Sequence, residues 1–382
     1  MEIATLLFTY NRSRHTKTVL DALSKNTRLP DKLFIFQDGL RNGGDTAEWQ
    51  KVNDLIKNVN WCETERIVSE CNKGLASSIV SGINYVFENY EAVIVLEDDC
   101  VPAISFIDFM YQCFEKYWDN ENVFSVGGYA SPVEMKKTSW DVYGYGRISS
   151  WGWGTWKDRW QNFEKDYELI KKLKQNEESS RHLAMWGADL ESTLVGNVTG
   201  ACDSWAVFWA LAVIKEKGVC VAPYESLVRN IGLDGSGVHC GVTDRYDVTL
   251  MEKRKKVFAL PDELVIEDEV AEAFVPLFGS YTALNTEEEK KEKILVYGLG
   301  NFYMRNEQKI CAEYQVEAFI DQRGSGWFAG KKIIKRGEMD QYAYDRILVM
   351  ILNEKDCMEV KEQLREQGID PDKILDGHIL YE

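Results

Sequence analysis

Val93-Ile94-Val95-Leu96-Glu97-Asp98-Asp99 places a run of apolar residues directly before three consecutive carboxylates. A stretch apolar at every position, not every second one, reads as a strand buried on both faces, as in parallel sheets. The carboxylates then sit at its C-terminal end, where open α/β sheets take their ligands. Three acidic groups so close repel one another, so the stretch calls for a positive partner. A divalent cation suits it, since Mg2+ and Mn2+ favour hard oxygen ligands and Mg2+ takes one or two carboxylates plus waters and substrate phosphates. A solvated acidic turn is the plain alternative.

Upstream, strand and helix alternate. Residues 3–8, 32–36 and 65–68 read as strands. Residues 15–25 (Val19, Leu20, Leu23 inward), 46–58 and 73–89 (Leu75, Ile79, Ile83 and Val86 or Phe87 inward) read as helices. Such alternation implies parallel pairing through right-handed crossovers. Downstream, eight of the twelve tryptophans fall between Trp140 and Trp209. The densest part, Ser149-Ser150-Trp151-Gly152-Trp153-Gly154-Thr155-Trp156, is too rich in Trp and Gly for a regular helix. Residues 164–175 read as an amphipathic helix, 202–217 as a buried helix and 228–241 as loops. The run 285–293 is charged without apolar content and reads as a linker. Alternation then restarts, with strands at 294–297, 316–320, 346–351 and 373–375 and helices at 302–312 and 354–367.

Bulk properties narrow the function. A chain of 382 residues suggests two domains. A net charge of −17 argues against a nucleic-acid footprint and against general adhesion to anionic lipid, leaving a local peripheral contact at the inner membrane face open. The nine cysteines form no Cys-x-x-Cys pair and no zinc spacing, which points to free thiols in a reducing cytoplasm. The start of the chain has no basic n-region, so no signal peptide is expected, and the longest apolar stretch, 205–214, is too short to span a bilayer.

In order along residues 1–260 stand Thr9-Tyr10-Asn11-Arg12, Gln37-Asp38-Gly39, Asn72-Lys73-Gly74-Leu75-Ala76, Leu96-Glu97-Asp98-Asp99, Ser150-Trp151-Gly152-Trp153-Gly154, Asp203-Ser204-Trp205 and His239. This series resembles nucleotide-sugar glycosyltransferases of the GT-A fold, closest to glycosyltransferase family 2 and the N-acetylglucosaminyltransferase I type. The resemblance implies an α/β fold whose mostly parallel sheet is flanked by helices. It implies transfer, with inversion among the family traits, of a sugar from a nucleotide donor, a UDP-sugar by family habit, to a hydroxyl of a glycan, glycolipid or glycoprotein. By the family pattern Thr9, Tyr10, Asn11 and Arg12 flank the nucleotide, Asp38 holds base or ribose, and Asn72 belongs to the donor site. Lys73 approaches the diphosphate, Glu97 supports the loop, and Asp98 faces the ribose or a metal-bound water. Asp99 ligates Mn2+ or Mg2+, with His239 as a second contact to metal or diphosphate. Asp203 is the general base, expected at the buried start of a helix, where aromatic neighbours would raise its pKa; Asp189 and Glu191 are weaker rivals. Trp151, Trp153 and Trp205 face the acceptor. Each has a plainer reading: Asp38-Gly39 as a turn, Lys73 as an exposed helix start, Asp203 as an N-cap, His239 as a surface histidine and the indoles as core.

Val296-Tyr297-Gly298-Leu299-Gly300-Asn301-Phe302-Tyr303 resembles a Rossmann phosphate-binding turn, with Asp321 after the next strand, but Tyr303 stands where a third glycine belongs. Residues 294–382 therefore read as a Rossmann-like accessory domain with a structural, docking or oligomerising role, following a GT-A domain over 1–284. A nucleotidyltransferase, or a carbohydrate-binding protein that lost its chemistry, are the competing readings. The former would carry a Gly-rich basic loop where Thr9-Tyr10-Asn11-Arg12-Ser13-Arg14 stands.

Overall fold

The computed structural model of the chain describes residues 2–200, 202–235, 246–278, 291–321, 326–328 and 331–381. It divides into two units, Met1–Ser280 and Tyr281–Glu382. The first holds strands β1 (Ile3–Thr9), β2 (Leu33–Gln37), β3 (Thr64–Val68), β4 (Ala92–Glu97), β5 (Cys100–Pro102), β6 (Val123–Gly127), β7 (Val142–Tyr145), β8 (Trp153–Trp156), β9 (Val219–Pro223) and β10 (Val228–Asn230). Its helices are α1 (Ser13–Leu23), α2 (Thr46–Lys57), α3 (Leu75–Val86), α4 (Phe106–Lys116), α5 (Lys157–Trp160), α6 (Leu169–Leu173), α7 (Glu177–Trp186), α8 (Leu190–Thr199), α9 (Ala206–Lys215) and α10 (Asp268–Phe278).

The main sheet runs β3-β2-β1-β4-β8-β6-β9-β7. Its first four strands are mutually parallel, β8 is antiparallel to both β4 and β6, β9 is parallel to β6, and β7 is antiparallel to β9. The class is mixed α/β with helices against a mostly parallel sheet, as the alternation predicts. Register positions the site: Thr9 pairs with Gln37 and Phe8 with Glu97, so β1, β2 and β4 end together along one edge.

Helical period explains the flanking layer. In α1, Val19, Leu20 and Leu23 are buried as expected. In α3 the stripe is Ala76, Ile79, Ile83 and Val86, and Leu75 falls outside it, 39% exposed. The Trp-rich segment forms the short strand β8. Trp153 and Trp156 are three residues apart and so point to opposite faces; both are fully buried, each in a different core cluster. Gly154 lies between them because a Cβ there would stand 2.4 Å from the Val93 carbonyl oxygen on β4.

Three expected boundaries shift. The 164–175 helix shrinks to α6, because Asp166 accepts from the Glu168 amide at 2.9 Å and makes a side-chain turn instead. The 202–217 helix starts only at Ala206, because Asn197 Oδ1 accepts the Ser204 amide at 3.0 Å and holds the preceding residues out of the helix. Residues 228–230, expected as loop, pair antiparallel with β5 as β10, a strand too short to show alternation.

The second unit contains β11 (Glu292–Tyr297), α11 (Asn301–Glu313), β12 (Tyr314–Ile320), β13 (Gly326–Phe328), β14 (Lys331–Ile334), β15 (Arg346–Val349), α12 (Glu354–Glu366), β16 (Ile374–Asp376) and α13 (Gly377–Tyr381). Its sheet runs β13-β14-β12-β11-β15-β16, parallel except for β13 with β14. Of the charged run 285–293, Glu292 and Lys293 open β11, and 285–290 lie outside the described residues. Gly298 takes φ +99° and packs so tightly that a Cβ would lie 2.7 Å from the Met350 carbonyl oxygen. Tyr303 is fully buried against Phe319 and Phe328, filling space between helix and sheet that a third glycine would leave for close packing. No helix among the described residues is long and apolar enough to cross a membrane.

Trp209 is fully buried and meets Trp153, Trp160 and Phe124. Trp209→Ala should lower unfolding free energy by about 3–5 kcal/mol, seen as a lower urea midpoint at unchanged m-value.

Candidate functional site

At the shared C-terminal edge of β1, β2 and β4 lies a cavity of about 590 Å³, within the size range of small-molecule sites. Phe8 and Phe36, stacked 5.0 Å apart, line it where the strands end. Of the residues singled out in the sequence, Thr9, Tyr10, Asn11, Arg12, Asp38, Asn72, Glu97, Asp98, Asp99, Trp151 and Asp203 converge on it. Segments some 190 residues apart along the chain thus reach one space.

The acidic triplet has its positive partner within the protein. Arg12 Nη2 donates to Asp98 Oδ1 and, at 2.8 Å, to Asp99 Oδ2. Arg12 immediately precedes α1, and its carbonyl accepts both the amide and the hydroxyl of Thr16 at 2.9 Å. Burial works against the Arg12 cation, but Asp98 and Asp99 outweigh it and push its pKa up. Burial pushes the Asp98 carboxyl up as well; Arg12 pulls it back and Asp99 adds to the rise. Glu97 is pushed up by burial and then by its two acidic neighbours. Beyond them runs the backbone after β10. Asn230 Nδ2 lies 3.5 Å from Asp99 Oδ1, and the Ile231 amide donates to the Asp99 carbonyl at 2.9 Å. Gly232 approaches so closely that a Cβ would stand 2.1 Å from Asp99 Oδ2. His15 Nε2 lies 3.2 Å from Asp234 Oδ2.

The residues suit a hard divalent cation in one respect. Asp98 Oδ2 is buried and has no hydrogen-bond partner, and Asp99 presents a carboxylate to the same cavity. Among the described residues no three His, Cys, Asp or Glu side chains form a closed cage. A cation here would rest on Asp98 and Asp99 and draw its other ligands from water or a bound ligand, which is the habit of Mg2+. His239, expected as a second contact, lies outside the described residues.

Asp38 departs from its expected role. Oδ1 accepts the amides of Gly39 and Lys73 at 2.9 Å, and Oδ2 accepts Asn72 Nδ2 at 2.8 Å and the Gly74 amide at 3.0 Å. A carboxylate has about four lone-pair sites, and all are engaged, so Asp38 clamps the loop before α3 and has no acceptor left for a base or ribose. Gly39 is required beside it, since a Cβ would sit 2.3 Å from the Cys71 carbonyl carbon. Asn72 is likewise spent on Asp38, on Gly39 and on Arg41 Nε, whose nitrogen donates at 3.0 Å. Thr9 is buried and donates to the Phe36 carbonyl. Lys73 reaches the site only through its amide; its side chain is exposed and does not line the cavity.

Asp203 is exposed and lies not at a buried helix start but before Trp205, the residue that caps α9. It caps nothing, and among the described residues it accepts no hydrogen bond. Its Oδ2 stands 3.3 Å from where a Cβ on Gly74 would be, against the start of α3. Its rivals are engaged elsewhere: Asp189 with Arg147 at 2.8 Å and Glu191 with Lys174 at 2.7 Å. Trp153 and Trp205 are core residues, stacked 4.9 Å apart and at most 3% exposed, so neither can face an acceptor. Trp151 is half-buried on the cavity wall and meets Tyr129 and Tyr246 edge-on.

Sequence reading missed the loop 41–44 and the strap 230–232, both of which line the cavity. Tyr10 Oη accepts the Arg41 amide at 3.0 Å and so ties that loop to β1. The Gly43-Gly44 pair signalled a turn but not its direction.

Residues 290–375 match a family model described as C2185-like, N-terminal. No curated protein matches the chain. Among solved structures, S. aureus TarS aligns at 10% identity and TM-score 0.35, over 60% of this chain and 36% of that chain. S. aureus TarS 1-349 in complex with UDP-GlcNAc aligns at 9% identity and TM-score 0.34, over 60% and 57%. The mannosyltransferase PcManGT from Pyrobaculum calidifontis, in complex with GDP-Man and Mn2+, aligns at 9% identity and TM-score 0.33, over 56% and 69%. The chain therefore spans just over a third of the length of the first TarS chain.

Replacing the Asp38 clamp should loosen the loop it holds. Asp38→Asn presents an amide group to N–H donors and should cost about 1.5–3 kcal/mol, with faster amide hydrogen exchange at residues 72–74.

Proposed function

We propose that this cavity binds a nucleoside diphosphate sugar together with a divalent cation, and that the first unit transfers the sugar to an acceptor hydroxyl. One observation carries the reading. Five carboxylates (Asp38, Glu97, Asp98, Asp99 and Asp203) line the cavity against two arginines, Arg12 and Arg41. An anionic diphosphate enters such a space only with added positive charge, and the oxygen donors of Asp98 and Asp99 suit a hard cation. The order of motifs along residues 1–260, which resembles the GT-A glycosyltransferases, supports the same reading.

A cation bound at Asp99 would offset the charge on the departing diphosphate. Tyr10, Asn11 and Arg12 hold the nucleotide from the β1 side, and loop 41–44 covers it. Asp203, the exposed carboxylate of the cavity and one of two, with Glu97, that no protein donor engages among the described residues, takes the proton of the acceptor hydroxyl. The hydroxyl oxygen bonds to the anomeric carbon as the bond to the diphosphate breaks, which inverts the configuration. The acceptor enters past Trp151, whose ring offers a face to sugar C–H groups. A second cavity of about 580 Å³ is lined by Ala130 and Asp247, which follow the Trp151 partners Tyr129 and Tyr246 in the chain, and by Ser131, Thr249 and Met251 among others; it offers room for more of the acceptor.

Thermal melts with a panel of nucleoside diphosphate sugars test the donor. The matching donor should raise Tm in the presence of Mn2+, following mass action, with about 2.7 kcal/mol of stabilisation at a hundredfold excess over Kd. No rise with any donor would contradict the reading. Asp203→Asn should cut turnover about 10²- to 10⁴-fold while the donor-induced Tm rise persists. Unchanged turnover removes Asp203 as the base, and donor binding without turnover in the native protein favours a binding role.

A further inference from the structure

We propose that Arg12 holds the place of the divalent cation between Asp98 and Asp99 until a nucleoside diphosphate arrives, so that metal and nucleotide bind together and the metal binds poorly alone. The inference rests on the donor-site reading above and concerns how that site loads.

The guanidinium already does what a metal would do here. It bridges Asp98 and Asp99, with 2.8 Å to Asp99 Oδ2. Gly232 closes the other side: a Cβ on it would stand 2.1 Å from Asp99 Oδ2 and 3.1 Å from Arg12 Nη1. That oxygen is already held by the guanidinium, and a divalent cation brought next to it would be repelled by the arginine charge. The metal can take the carboxylates only as Arg12 leaves them.

Arg12 can leave without disturbing the fold. Its carbonyl is fixed by the amide and hydroxyl of Thr16, both at 2.9 Å, so the backbone stays while the long side chain turns. That side chain is 20% exposed and lines the cavity. It needs a new anionic partner, because a guanidinium stripped of its carboxylates would remain half-buried and uncompensated. A diphosphate supplies one, since guanidinium binds phosphate oxygens in bidentate fashion. The same ligand completes the metal, because Asp98 and Asp99 belong to no closed cage of protein ligands among the described residues. Nucleotide therefore does two things at once: it takes Arg12 over and gives the cation phosphate oxygens. The buried, unpartnered Asp98 Oδ2 marks what the bridge leaves unfinished. By linkage, metal and nucleotide then raise each other's affinity by the same factor.

The test is Mn2+ binding, followed by the electron paramagnetic resonance signal of free Mn2+, with and without UDP. It uses the full chain, Arg12→Ala, and Arg14→Ala as a control that removes one exposed positive charge nearby. In the native protein UDP should raise Mn2+ affinity at least tenfold. Arg12→Ala should bind Mn2+ alone at least tenfold more tightly than the native protein, and UDP should then raise that affinity by a smaller factor. Arg14→Ala should change Mn2+ affinity less than twofold. If Arg12→Ala does not fold, as judged by circular dichroism, Arg12→Gln replaces it, keeping most of the side-chain volume without the charge. An unchanged Mn2+ affinity in the Arg12 variant, with Mn2+ and UDP still bound by the native protein, overturns the placeholder and leaves the donor site standing. A gain equal to that of Arg14→Ala overturns it too, as a bulk charge effect. Absence of both UDP and Mn2+ binding in the native protein removes the donor-site reading itself.

Discussion

The buried end of β4 forces acidic groups together, and the site follows from how that charge is met. Asp98 and Asp99 are 4% and 8% exposed, close enough to share one guanidinium. Burial pushes Asp98 and Glu97 toward the neutral form, and the Arg12 charge pulls both back. Arg12 supplies the charge from the turn after β1. Its place follows from the parallel register that brings Phe8 of β1 beside Glu97 of β4. Sheet topology thus delivers both halves of the ion pair to one point, and a cavity opens where the strands stop.

Around that point the loops are held by groups that look functional and act structurally. Asp38 is the clearest case, with its carboxylate filled by four donors from residues 39–74. Asn72 and the Tyr10 hydroxyl extend the same lattice to Arg41. These ties set the cavity wall before any ligand enters, which reduces the ordering cost of binding. Asp203 and Glu97 lie outside the lattice, carboxylates of the wall that no protein donor engages among the described residues.

The alternation of strand and helix over the first hundred residues was legible because the central strands are short runs apolar at nearly every position and the helices repeat their apolar residues at the helical period. Val93–Leu96 announced a central strand, and Val19, Leu20 and Leu23 an inward helix face. What stayed hidden depended on contacts distant in sequence. The roles of Trp153 and Trp205 could not be divided from that of Trp151, because an indole suits both core and sugar, and it is the pairing of β8 for Trp153 and the start of α9 for Trp205 that set these two rings in the core. Asp38 carried the right residue type for a ligand contact, and nothing local revealed that Lys73 and Gly74 would consume it. The strap 230–232 was invisible because β10 is three residues long. The positive partner of the acidic triplet was correctly demanded by charge, but an arginine 86 residues away meets the demand.

The account comes down to whether a diphosphate and a cation share the edge of β1, β2 and β4. A crystal structure of the protein grown with UDP and Mn2+ addresses this most directly. The account predicts manganese on the Asp99 carboxylate, the diphosphate against it, and Arg12 turned from Asp98 and Asp99 onto phosphate oxygens. Nucleotide bound elsewhere, with Arg12 still bridging the two carboxylates, would contradict it.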